Sequence, residues 1–280
     1  VTLDIAQISR LGFGVSGPHK CDAVDRPKTI RLIHEAIDYG ISVFDTAPKY
    51  GDGEAESRLG EALKSVDREN VFIVTKAGIV DETDRRDFTP EGIRTSMQES
   101  LKRLGVDYVD ALLLQGAANG ELTDELQTGL QELKTNGLVR YVGASGRGEE
   151  LDKPTRTDLF DIIMAPNYAG MPEEQTVRLQ TARDSGKGIF AIESKNGARP
   201  ALRLPLGKAD RWYFKRQMKR FQDRLSEAGA PSGSRLPAIE AFRWSLDSPL
   251  TDCLLVQTTR SRHLRQLAQM AGLDAGQNGA

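Results

Sequence analysis

Asp45, Tyr50 and Lys76 come together if the segments that carry them are neighbouring strands of one sheet. Asp45 closes the apolar run Ile41–Asp45, Lys76 closes Val71–Lys76, and Tyr50 follows the aspartate in the next loop. A carboxylate and an ammonium at adjacent strand ends form an ion pair, and a tyrosine in the loop above reaches both. A phenol in water titrates near ~10, too high to exchange protons readily at neutral pH. A nearby ammonium stabilises the phenolate and lowers that value, so a tyrosine in this setting acts as a general acid toward a carbonyl oxygen. Spacing alone equally allows a structural Asp–Lys pair beside an ordinary tyrosine.

Other strand ends supply Gly14, Gln115, Ser145, Met164 to Asn167, Glu193 and Gln257 to Thr259. Of the three histidines, His34 reads as structural within the first helix, His19 lies in the first strand–helix loop near the mouth, and His263 opens the last helix. No two of them have metal-ligand spacing, so no metal site is expected. Gly12, Gly14 and Gly17 match GxGxxG, but the motif must open a helix that receives a pyrophosphate. Here Pro18-His19-Lys20-Cys21-Asp22 follows instead. The glycines are therefore expected to let the first loop pass close to a ligand.

The elements that would position these residues alternate along the chain. Strands are expected at 8–14, 41–45, 71–76, 108–115, 138–145, 160–165, 188–194 and 252–257. Amphipathic helices lie between them, with a poorly defined connection after the fifth strand. The strands are nearly continuous apolar runs, the mark of a parallel sheet covered on both faces. Eight such units in 280 residues predict an α/β fold, a single-domain (β/α)8 TIM barrel over 1–271, with a flexible tail at 272–280. In the long interruption at 198–236, Arg211, Lys215, Arg216, Lys219 and Arg220 read as one solvated helix face.

A net charge of −2 gives no field that would gather nucleic acid or an acidic membrane, and neither partner is expected. Two distant cysteines, Cys21 and Cys253, suggest neither a zinc site nor a disulfide framework. The chain opens on Val1 without a basic-then-apolar leader, and a cytoplasmic monomer or weak homo-oligomer is the expectation.

The run FDTAPKYGDGEAESRLGEAL (Phe44–Leu63) closely resembles the signature of the aldo-keto reductase superfamily. LGFGVSG at 11–17, IVTKAG at 73–78, LKRLGVDYVDALLL at 101–114 and LVRYVGAS at 138–145 are similar to its successive units, so the likeness spans nearly the whole chain. It implies an NADP(H)-binding barrel with a catalytic set of Asp45, Tyr50, Lys76 and position 115. It also implies a cofactor cradle formed by Gly14, Val15, Ser16, Asp45, Ser145, Gly146, Met164, Glu193, Ser194, Thr258, Thr259 and Arg260. Against the family pattern, Gln115 replaces a histidine, Gly146 an asparagine, Met164 a glutamine, Glu193 a stacking aromatic, and Gln257-Thr258 a Lys-Ser pair. A glutamine amide still donates to a carbonyl oxygen but relays no proton.

The resemblance thus implies an NADP(H)-dependent oxidoreductase that interconverts a small carbonyl compound and its alcohol. Two other readings stand beside it: a weak or inactive binding or regulatory barrel, and a non-redox lyase, dehydratase or isomerase built on Tyr50, Lys76 and Glu193.

Overall fold

The computed structural model describes residues 5–199, 207–215, 218 and 235–274. Eight parallel strands close into a barrel in sequence order, the last pairing with the first. They are β1 (Leu11–Gly14), β2 (Val43–Asp45), β3 (Phe72–Ala77), β4 (Val109–Gln115), β5 (Val139–Ser145), β6 (Ile162–Pro166), β7 (Gly188–Ile192) and β8 (Cys253–Val256). Each is found where the sequence predicts it, most of them slightly shorter. The helices are α1 (Arg26–Asp38), α2 (Glu54–Leu63), α3 (Pro90–Leu104), α4 (Asp124–Thr135), α5 (Glu173–Asp184), α6 (helical through 208–215), α7 (Ala238–Asp247) and α8 (Ser261–Met270).

Local chemistry starts several of them. Asp25, Thr89 and Thr123 are N-caps whose side chains accept from the backbone N–H groups of Lys28, Gly92 and Leu126, which satisfies donors that a helix start otherwise leaves open. Between β5 and β6 no α-helix forms. Two single 3-10 turns (Glu149–Leu151 and Pro154–Arg156) take its place, and buried Leu151 and Phe160 cover the strands. A cavity of about 580 Å3 opens beside them against α5, lined by Asp152, Thr155, Arg156, Val177 and Arg178 among others.

Strand alternation divides the core in two. Outward-facing residues such as Phe44, Ile73, Leu112, Leu114, Val142 and Ile163 pack beneath the helices. Inward-facing Val43, Phe72, Val74, Ala111, Leu113, Tyr141, Ile162, Met164, Phe190, Cys253 and Leu255 fill the barrel. The same parity carried to the carboxyl-terminal ends turns Asp45, Lys76, Gln115 and Ser145 inward at one mouth. The site is positioned by register.

The opposite face is closed by a charged stack. The Tyr108 ring lies between the guanidinium groups of Arg68 and Arg140, 4.1 and 4.3 Å from its centroid. Buried Asp110 accepts from Arg68 Nη2 at 2.6 Å, Arg140 Nη1 at 3.0 Å and the Ile73 N–H at 2.8 Å.

His19 is fully buried rather than lining the mouth. Its Nε2 lies 2.9 Å from the Thr258 carbonyl and its Nδ1 3.2 Å from the Thr29 hydroxyl, so it ties the first loop to the last strand and to α1. Burial, aided by the positive charges of Arg58 and Lys28 and opposed by the Thr258 hydrogen bond, lowers its pKa to about 4. The unfolded chain protonates this ring near ~6.5, so between that pH and about 4 the unfolded state holds the extra proton. Stability rises with pH across the window and is lost as pH falls through it. We expect His19 to carry about 2–3 kcal/mol of the stability lost between pH 7 and 4.5. Urea unfolding of His19→Gln should show a flatter acid limb than the wild type; an identical slope would refute this.

Gly17 to Lys20 form a 3-10 turn, not the helix a dinucleotide fingerprint requires. Two of the three glycines face protein rather than a ligand. A Cβ on Gly12 would lie 2.5 Å from the Leu255 side chain, and one on Gly17, whose φ is +56°, 2.4 Å from the Gln257 amide. Gly14 is buried too, and a Cβ there would make ordinary contacts with the Val256 carbonyl at 3.5 Å and the Ser16 hydroxyl at 3.8 Å. In the long interruption Arg211 and Lys215 are exposed, whereas Arg216, Lys219 and Arg220 lie outside the described residues. At the carboxyl end Leu273 packs against the core, and 275–280 lie outside the described residues. No helix among the described residues is long and apolar enough to cross a membrane.

Candidate active site

The inward side chains at the ends of β2 and β3 meet at the mouth. Lys76 Nζ donates to Asp45 Oδ1 and, at 2.8 Å, to the Thr46 carbonyl. Both side chains are buried, and the Tyr50 ring centroid lies 5.2 Å from the same nitrogen. Burial pushes the Lys76 ammonium down, but the charges of Asp45 and Tyr50 and hydrogen bonds to both hold it above its usual value. Burial likewise pushes the Asp45 carboxyl up, and Lys76 offsets this only in part. A charge this deep persists only when paired and hydrogen-bonded, and Lys76 has three such partners.

Gln115 and Ser145 are register partners across β4 and β5, and Ser145 pairs in turn with Met164. The Gln115 Oε1 is buried without a hydrogen-bond partner among the described residues. An unmet acceptor at the mouth of a barrel suits a ligand that brings an N–H or O–H.

The remaining expected cradle residues are placed as follows. Val15 is buried, with its backbone N–H donated to the Asp45 carbonyl at 2.8 Å. Ser16 receives the Gln257 amide, through its carbonyl and, at 3.1 Å, its hydroxyl. Met164 belongs to the apolar filling of the barrel and makes its floor. Thr258 offers its carbonyl to His19, Thr259 and Ser194 are buried, and Gly146 leaves room for the folded-back side chain of Glu150. Arg260 donates to Asp210 on α6 at 2.6 Å. It stands at the start of α8, which has no side-chain cap. An uncapped helix start beside an arginine is suited to phosphate.

Glu193 differs from its expected setting. Strand β7 ends at Ile192, and Glu193 adopts φ +62°, a left-handed backbone uncommon for a residue with a side chain. Its carboxylate accepts from Arg147 Nη2 at 2.7 Å and Nε at 3.1 Å, and from Asn196 at 2.7 Å. Arg147 is the residue that sequence reasoning missed. It lies two positions beyond Ser145, and only the distant Glu193 shows what it does. Its guanidinium is held above the usual arginine value. Partial burial lowers it, but Glu193, through charge and hydrogen bonding, and the charges of Tyr50 and Glu150 outweigh that effect.

A closed eight-stranded barrel with the Asp45–Lys76 pair buried at its carboxyl-terminal mouth, beside half-buried Tyr50, defines the class: a (β/α)8 barrel of the kind whose enzymes work at that mouth. The model of the aldo/keto reductase family matches residues 10–277, and the chain belongs to that family of oxidoreductases. It is 28% identical to the D-threo-aldose 1-dehydrogenase of a Pseudomonas species, over 95% of this chain and 90% of that one. It is 37% identical to the NADH-specific methylglyoxal reductase of Escherichia coli, over 66% of this chain and 63% of the relative. An aldo-keto reductase of Bacillus halodurans in its holo form shares the fold, with a TM-score of 0.74 at 22% identity, covering 94% of this chain and 86% of that one.

Proposed function

We propose that this protein is an NADP(H)-dependent reductase of small carbonyl compounds, with Tyr50 as the proton donor. The observation that carries the reading is Lys76, buried, paired with Asp45 and set against the Tyr50 ring. Two features fit a nicotinamide cofactor: the unmet Gln115 acceptor at the reacting end, and the uncapped start of α8 beside Arg260 for a phosphate. Ser145 and the backbone at Gly146 would border the carboxamide, and Thr258, Thr259 and Arg260 the phosphates. When bound, the cofactor supplies the two-electron reductant for the carbonyl carbon.

The chain's own residues do the rest. Gln115 Nε2 donates to the carbonyl oxygen and orients it. As the carbon is reduced, the C=O π pair moves to that oxygen, which takes the Tyr50 proton. Lys76 stabilises the tyrosinate left behind, Asp45 and the Thr46 carbonyl hold Lys76 in place, and solvent returns the proton. A lyase built on Glu193 as base is less well supported, because that carboxylate is committed to Arg147 and Asn196.

The cofactor half of the reading is tested by titrating NADPH and NADH against the fluorescence of Trp212, which lies on α6 near Asp210. Trp244→Phe removes the exposed second indole on α7. Arg260 is expected to exchange Asp210 for the 2′-phosphate, which forms charge-assisted hydrogen bonds a hydroxyl cannot match. Arg260→Ala should weaken NADPH about tenfold or more and NADH little. Asp210→Asn, which removes the competing carboxylate, should shift the preference further toward NADPH. Equal affinities for the two cofactors in all three proteins would refute the clamp, and no binding of either would refute the reading.

A further inference from the structure

We propose that Arg147 is the anion-recognising residue of this site and that the carbonyl substrate carries a carboxylate, which replaces Glu193 on the guanidinium. The inference rests on the reduction proposed above and extends it to a substrate class.

The geometry assembles from three places. Arg147 leaves the end of β5, beside the Gln115–Ser145 pair. Its backbone N–H is fixed at 2.6 Å by Glu150 Oε1, a side chain that folds back over Gly146, where a Cβ would come within 2.6 Å of it. The guanidinium then reaches across the end of β6 to Glu193, at the end of β7. Both of its bonds go to one oxygen, Oε1, while the other carboxylate oxygen is taken by Asn196. A guanidinium presents a fork that matches both oxygens of a carboxylate, and this one is engaged through a single oxygen. Nη1 has no hydrogen-bond partner among the described residues.

Exposure sets the energetics. The Arg147 side chain keeps 63% of its surface open while Glu193 keeps 14%. An ion pair so open to water contributes little stability. A ligand carboxylate that engages the fork through both oxygens therefore exchanges for Glu193 at small cost, and Glu193 retains Asn196 when released. Arg147 lies two residues beyond Ser145, whose side chain turns inward at the same mouth as Asp45 and Lys76, which puts the cation on the reacting side. A carbonyl at Tyr50 with a carboxylate a few bonds away would span the two groups. The left-handed backbone of Glu193 is explained in the same way: the turn holds an internal carboxylate where the substrate's own would bind.

Paired substrates test this. With NADPH, 4-oxobutanoate should be reduced with a higher kcat/KM than butanal. Arg147→Gln should lower kcat/KM on the anionic member about ten- to a hundredfold, mostly through KM. Arg147→Lys should retain part of the preference. The loss on 4-oxobutanoate should exceed that on butanal at least about tenfold; equal changes on both would overturn the proposal. A calorimetric titration with unreactive butanoate separates this inference from the proposed reaction, since it needs no turnover. Butanoate should bind more weakly to Arg147→Gln and more tightly to Glu193→Gln, which lacks the internal competitor. Butanoate affinity unchanged in both variants would overturn the site, whatever the enzyme reduces.

Discussion

Tyr50→Phe is expected to lower reduction of a small aldehyde by at least about 10²-fold, the lower bound of what a positioned general acid contributes. The ring stays and with it the packing against the barrel, so the fold should be unaffected; only the proton is lost. The alkoxide then forms with no acid beside it, because Gln115 donates a hydrogen bond but releases no proton and Lys76 is held as an ammonium by Asp45 and the Thr46 carbonyl. Gln115→His makes the contrasting case. It places a group that exchanges protons near neutral pH at the end of β4, and the rate should rise severalfold. Steady-state rates for the three proteins on one aldehyde decide the point. Activity that survives Tyr50→Phe and gains nothing from histidine would show that the chemistry is not carbonyl reduction.

Asp110→Ala is expected to be the most damaging substitution away from the mouth, costing about 3 kcal/mol. Its carboxylate is buried and serves two guanidinium groups and a strand N–H at once. Truncation orphans the buried Ile73 N–H and leaves Arg68 and Arg140 without their shared anion, still held against the Tyr108 ring. The cost falls at the lower end of the range for a broken buried pair because Arg140 still reaches solvent. For a chain of this size the midpoint should drop by about 5 °C, read by thermal unfolding. The initial rate below the transition should stay that of the wild type, since Asp110 lies at the opposite end of the barrel from Tyr50. A midpoint within 2 °C of wild type would refute the assignment.

The barrel was legible because its strands are near-continuous apolar runs and its helices carry capping signals such as Thr89-Pro90. Asp45, Lys76 and Gln115 were legible because a period of two fixes which strand-end residues point inward. Parity does not operate once a strand has ended. Glu193 was read as a strand-end residue within a strand expected at 188–194, but β7 stops at Ile192 and a left-handed turn re-aims the side chain. Arg147 escaped notice for the same reason, as its role depends on a carboxylate 46 residues away. Arg260 was read as free for a phosphate, and its partner Asp210 lies in a stretch whose sequence gives no indication of where it folds back. Asp110 carried no signal in the sequence, because buried electrostatic networks have no sequence period.

The missing helix between β5 and β6 has a mechanical consequence. Seven of the barrel's eight strand-to-strand walls are braced along their length by a helix, whereas the wall at β5–β6 is held by short turns beside an open cavity. The turns carry backbone hydrogen bonds of their own, among them Leu151 to Gly148, Asp152 to Glu149 and Arg156 to Lys153, but no continuous helical ladder runs along that wall. The stave that ends in Ser145 is held on its other side by six register pairs with β4. Asp45 and Lys76 stand on strands flanked by α1, α2 and α3. Within one closed barrel, Asp45 and Lys76 thus stand between helices on both sides, whereas Arg147 leads into the one wall where turns replace a helix.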